Sequence, residues 1–164
     1  MAAADKHGSR LGSVSDADWK FRQNASQFAR QGYDIHGDLT AALLTRVADG
    51  EAGVKSVSGA VHSLDHSASG RPGFEVSVAG LLGLTCQSCG AAFDLAVDSA
   101  SIIHVARDAA ELANWEDETF ESIEATEKTS ALELVEDELL LSIPYVPRCP
   151  KCAADDTPRT HEFS

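Results

Sequence analysis

The chain has 164 residues, enough for one domain with a real core, and 43% of them are hydrophobic although aromatics reach only 6%. Its net charge of −13 excludes a protein that grips nucleic acid by its own charge. No apolar run approaches the ~20 residues of a membrane span, and the start has no apolar h-region of a secretory signal. A cytosolic protein is therefore expected.

Residues 1–15 are small and polar and read as a disordered tail. In 16–31, Asp16 or Asp18 is a candidate cap for a short helix carrying Trp19, Phe21 and Phe28, and Gly32 is a natural stop. A brief extended piece follows at Tyr33–His36, with a turn at Gly37-Asp38. Residues 39–48 read as a helix, because Leu39, Leu43 and Val47 recur at a spacing of four until Asp49-Gly50 stops them.

From 54 to 105 the period becomes two. Val57, Gly59 and Val61 alternate with polar residues, and a loop is expected at Ser67–Gly73. Phe74, Val76, Val78, Gly80, Leu82 and Leu84 then share one strand face that runs into Cys86. Phe93, Leu95 and Val97 mark the next strand, continued by Ile102, Ile103 and Val105, so the turn between two antiparallel strands carries Cys86-Gln87-Ser88-Cys89-Gly90. A short helix at 108–114 and an extended piece near 119–126, with Phe120 and Ile123, complete the middle of the chain.

Residues 130–143 form the clearest helix. Ser130 and Glu133 have capping-box spacing, and Leu132, Val135, Leu139 and Ile143 make an apolar stripe. Glu136, Asp137 and Glu138 are expected on the other, solvated side. Pro144 ends the helix, and Pro147 keeps the chain extended into Cys149-Pro150-Lys151-Cys152. Residues 153–164 are polar and read as a loose tail, which leaves 16–152 as the single domain.

The four cysteines Cys86, Cys89, Cys149 and Cys152 are what a tetrahedral zinc site requires, and a closed site has no open position for catalysis. Such a bolt closes a loop over the 59 residues between the pairs. A redox pair at Cys86 and Cys89 is the alternative; it fits less well, because reactive Cys-x-x-Cys pairs favour a helix N-terminus over a β-turn. The histidines are scattered, and His62 and His66 fall at a strand end and loop, so a catalytic zinc is not expected. No nucleophile elbow, phosphate loop or marked carboxylate pair points to an enzyme. Residues 108–138 hold 12 acidic residues against Lys128 alone, either a solvated face or a surface for a basic partner.

Three stretches resemble a known family. Leu84-Thr85-Cys86-Gln87-Ser88-Cys89-Gly90 is similar to its central Cys-x-x-Cys strand end. Leu134-Val135-Glu136-Asp137-Glu138-Leu139-Leu140-Leu141 with Ile143-Pro144-Tyr145-Val146-Pro147 resembles its hallmark helix and proline exit, and Phe28-Ala29-Arg30-Gln31-Gly32 an amino-terminal motif of one branch. The family is YceD, the bacterial large-ribosomal-RNA-subunit accumulation proteins, and the resemblance spans about residues 20–152. It implies a non-enzymatic role in accumulation of large-subunit (23S) ribosomal RNA, through a basic ribosomal protein or a precursor of the large subunit. The second cysteine pair varies within the family, so the zinc rests on this chain's own residues. Glu133, Glu136, Asp137, Glu138 and Tyr145 are the candidate partner-binding residues. The expected fold is α+β: an antiparallel sheet or partly open barrel packed with the 39–48 and 130–143 helices. A generic zinc-stabilised adaptor is the remaining reading.

Overall fold

The structure is a computed structural model that describes residues 14–50, 52–67, 70–115 and 121–154. It is an α+β fold built on an open five-stranded sheet. The elements run α1 (Asp16–Lys20), β1 (Arg22–Asn24), α2 (Ala25–Arg30), β2 (Asp34–Leu39), α3 (Thr45–Asp49) and β3 (Gly53–Leu64). They continue with β4 (Gly73–Thr85), β5 (Ala92–Ala106), α4 (Ala109–Asn114), β6 (Glu121–Glu124), β7 (Lys128–Ser130) and α5 (Ala131–Leu141). The expected tails and Phe120 lie outside the described residues, apart from Val14 and Ser15 at one end and Ala153 and Ala154 at the other.

The sheet order is β2-β3-β4-β5-β6, with β1 and β7 forming a separate ribbon. The pairs β2–β3, β3–β4 and β4–β5 are antiparallel; β6 joins β5 in parallel. The alternation of β4 is realised residue by residue: Phe74, Val76, Val78, Leu82 and Leu84 are buried while Glu75, Ala79 and Leu81 are exposed.

Helix α5 lies across the inner face. Gly59 makes this close approach possible, because a Cβ there would stand 2.7 Å from Val135 Cγ1 and 3.0 Å from Leu39 Cδ1. Trp19, Phe28, Phe74, Leu44, Leu82, Val135 and Leu139 form the centre of the core. Phe28 meets Phe74 edge-on at a centroid separation of 6.2 Å.

Several expected elements are corrected. The 39–48 helix is a strand end, a turn and a five-residue helix: Leu39 pairs with Val57 at the end of β2, and Gly37-Asp38 are strand residues rather than a turn. Leu39, Leu43, Leu44 and Val47 are all buried, so the spacing reports burial by two different backbones. Ser15, not Asp16 or Asp18, caps α1, with Asp18 closing a capping box from position N3. The 16–31 region is two short helices separated by β1, and Gly73 belongs to β4 rather than to the loop.

Helix α5 ends at Leu141, with Ser142 as its C-cap, two residues earlier than expected. Ser130 accepts from the Glu133 amide as the capping box requires, but the Glu133 carboxylate pairs with Arg22 and the Ser130 hydroxyl. The largest correction concerns the acidic triplet. Glu136 is 3% and Glu138 4% exposed, and only Asp137 faces solvent. Glu136 accepts the Val47 amide at 3.0 Å and the Arg46 Nε at 3.2 Å. Glu138 accepts the Ser99 and Ser101 hydroxyls at 2.5 and 3.0 Å. A buried carboxylate needs such partners, and these two join α5 to α3 and to β5.

Candidate metal centre

The first arm of the site is built by the β4–β5 hairpin. The strand pair brings Thr85 opposite Ala92, and the chain between them folds into a knuckle. Cys86 N–H donates to the Ala91 carbonyl at 2.8 Å, and Gly90 N–H donates to the Cys86 carbonyl at 2.9 Å. Gly90 has φ 76°, the left-handed conformation that closes this turn without a Cβ clash.

The second arm follows α5. Pro144 and Pro147 lead the chain away from the helix and back to the hairpin, where Gln87 N–H donates to the Pro147 carbonyl at 2.8 Å. That backbone bond joins the arms independently of any metal. Nothing in the sequence signalled it, because it uses a backbone amide rather than a side chain. Residues 150–154 are helical, with Pro150 at the first position where a missing N–H costs nothing, and Ala153 N–H donates to the Cys149 carbonyl at 3.0 Å.

The two arms place one sulfur each from Cys86, Cys89, Cys149 and Cys152 within 4.8 Å of one another. Cys89 Sγ and Cys149 Sγ are 3.9 Å apart, and no disulfide joins the four cysteines. A tetrahedral ion with metal–sulfur bonds of ~2.3 Å separates its ligands by about 3.8 Å, so this spacing suits a shared ion. A disulfide needs about 2.05 Å. Cys86 is buried, Cys89 exposed, and the second pair half-buried, so the cluster sits at the protein surface.

Hydrogen bonds within the cluster shift two of the thiols in opposite directions. Backbone N–H from Cys149, opposed by burial and helped by Cys89 and Ser88, draws the Cys86 thiol down to about 6. Cys152 moves the other way, to about 12, because hydrogen bonding to Cys149, then Cys86 and Cys89, holds its proton among the other sulfurs. Four thiolates repel unless a cation joins them, and a divalent metal that accepts soft sulfur donors supplies that charge.

The expected partner-binding residues are not brought together as one face. Tyr145 is fully exposed, and Asp137 is exposed beside Arg46 at 2.8 Å. Glu133 is half-exposed and bound to Arg22, whereas Glu136 and Glu138 are buried and held by their own protein. A groove of about 440 Å³, lined among others by Val47, Leu84, Leu140, Ile143 and Pro147, runs beside Tyr145. Among the described residues no helix is long and apolar enough to cross a membrane. No protein-family model, curated protein or solved structure matches the chain.

Proposed function

We propose that the chain is a non-enzymatic, zinc-stabilised binding factor of the cytoplasm that supports accumulation of large-subunit ribosomal RNA, acting on a basic ribosomal protein or a large-subunit precursor. The observation that carries the binding role is the fixed display of Tyr145. The segment after α5 is tied to the β4–β5 hairpin through Gln87 and the four cysteines, yet its tyrosine is 101% exposed. A clamp that holds the backbone beneath an exposed aromatic side chain lowers the chain-ordering entropy that binding a partner would cost. The all-thiolate donor set favours zinc in a structural role, because four cysteines saturate its tetrahedral shell. The ribosomal setting rests on the resemblance of Leu134–Leu141 and Ile143–Pro147 to the YceD family.

The test is a sucrose-gradient profile of cells lacking the protein, with a tagged copy followed in complemented cells. A deficit of large subunits, with the tagged protein on their precursors, is the expected result. A normal profile with the protein only at the top of the gradient would refute the ribosomal role.

A further inference from the structure

Six of the twelve carboxylates in 108–138 are engaged by the protein's own structure. Within 108–138, Glu136 and Glu138 are buried, Glu133 pairs with Arg22, and Asp137 with Arg46. Glu111 is bound by Arg71 at 3.3 Å and by Arg107, and Asp108 caps α4. Much of this stretch serves the protein's own structure.

Four strands assemble a different surface. The inner face of the sheet is filled by α5 and the core, but the outer face from β2 to β5 is exposed and uncovered among the described residues. Cross-strand register sets Asp34, His62, Glu75 and Ile102 in one row. Asp38, Ser58, Ala79 and Asp98 form a second, and Gly83 stands beside Asp94 further along. Between these two rows lie His36, Ala60, Ser77 and Ala100, and Ala96 follows beside Leu81, so the β3–β5 part of the face carries mostly small side chains while His36 stands out at the β2 edge. Leu81 and Ile102 stand out from it, 39% and 42% exposed.

The five carboxylates Asp34, Asp38, Glu75, Asp94 and Asp98 meet one lysine on this face, Lys55, which pairs with Asp94 at 2.6 Å. His62 lies 3.8 Å from Asp34. Asp38, Glu75 and Asp98 have no ion-pair partner among the described residues. From strand spacing and rise the face measures roughly 15 by 26 Å. That is about half the ~800 Å² each partner gives to a stable protein interface, the size for one extended segment rather than a domain.

We infer that the outer face of β2–β5 docks an extended polypeptide segment rich in arginine and lysine and carrying apolar side chains for Leu81 and Ile102. Complementary charge selects this occupant. A nucleic acid brings phosphates against unpaired carboxylates, and a second copy brings like charges against like. Small side chains let the incoming backbone lie close, and the cations reach Asp38, Glu75 and Asp98 across the strands. The inference rests on the reading of the chain as a binding factor with a basic partner, and it adds a second contact surface to the exposed Tyr145.

The probe is a synthetic peptide of repeating arginine, serine, lysine and leucine, titrated into the full-length zinc-loaded protein and followed by NMR shift mapping and calorimetry. Shifts should concentrate on the outward residues of β2–β5. The conservative triple variant Asp38→Asn, Glu75→Gln, Asp98→Asn should weaken binding about tenfold, from three exposed charge pairs. Asp16→Asn, Asp49→Asn, Glu127→Gln removes the same charge elsewhere and should change it less than about twofold. Equal weakening by the two triples would overturn the surface while leaving the basic-partner reading intact. A wild-type protein that ignores the peptide, or binds a large-subunit RNA fragment through this face, would refute both.

Discussion

Helix α3 depends on a carboxylate that the sequence disguises as surface charge. The helix has five residues and Leu44 at its N-cap, with no side-chain cap of its own. Glu136 of α5 supplies the missing acceptor: its Oε2 receives the Val47 N–H at 3.0 Å, at the positive end of the helix, while Oε1 receives Arg46. Glu136→Ala leaves the buried Val47 amide unpaired, a cost of about 1–3 kcal/mol, and removes a charge-assisted bond. Arg46 is half-exposed and retains Asp137, so it adds little further penalty. We expect Glu136→Ala to destabilise by about 2–3 kcal/mol. Glu136→Gln keeps an oxygen for Val47 and should cost about 1 kcal/mol. Asp137→Ala, which breaks only an exposed pair, should cost less than about 1 kcal/mol. Urea unfolding of the metal-loaded variants measures all three. An Asp137→Ala cost equal to that of Glu136→Ala, or a neutral Glu136→Ala, would refute this role of Glu136.

Gly59→Ala places a methyl 2.7 Å from Val135 Cγ1 and should destabilise by about 1–3 kcal/mol, read from the midpoint of urea unfolding; an unchanged midpoint would mean that α5 can shift freely. His104 is buried and its Nδ1 lies 2.6 Å from Ser67 Oγ. Because the Ser67 hydroxyl donates to the Arg71 carbonyl, Nδ1 is the donor in that contact. Burial lowers the His104 pKa below its ordinary 6.5, so below that pH the unfolded chain binds more protons than the folded one. Stability from this group is complete above 6.5 and is lost as pH falls toward the folded value. Thermal unfolding between pH 7.5 and 5.0 should show a fall that is smaller in His104→Gln; identical slopes in the two proteins would contradict it.

The strands and the cysteine pairs were legible because their signals are local. Alternation in 74–84 is dictated by a sheet with one buried face, and a Cys-x-x-Cys-Gly turn between strands has few other uses. What escaped was set by tertiary context. Leu39, Leu43 and Val47 fit a helical period, yet β3 captures Leu39 through the backbone while α5 buries Val47. Glu136 and Glu138 sit in an acidic run whose ordinary meaning is a solvated face. Only their distant partners, Val47, Arg46, Ser99 and Ser101, make their burial affordable. The parallel entry of β6 has no local signal, and the acidic outer face appears only once β2, β3, β4 and β5 are assembled in that order.

The metal clamp is the central claim, since together with the Gln87–Pro147 bond it holds the segment that displays Tyr145, and native mass spectrometry with elemental analysis tests it most directly. The purified chain should carry one zinc ion, with its four thiols unreactive until chelation or unfolding. Cys149→Ser should lose the ion and much of the stability that depends on it. A wild-type protein without metal and with four freely reacting thiols, or a Cys149→Ser variant with unchanged zinc content and melting temperature, would contradict the account.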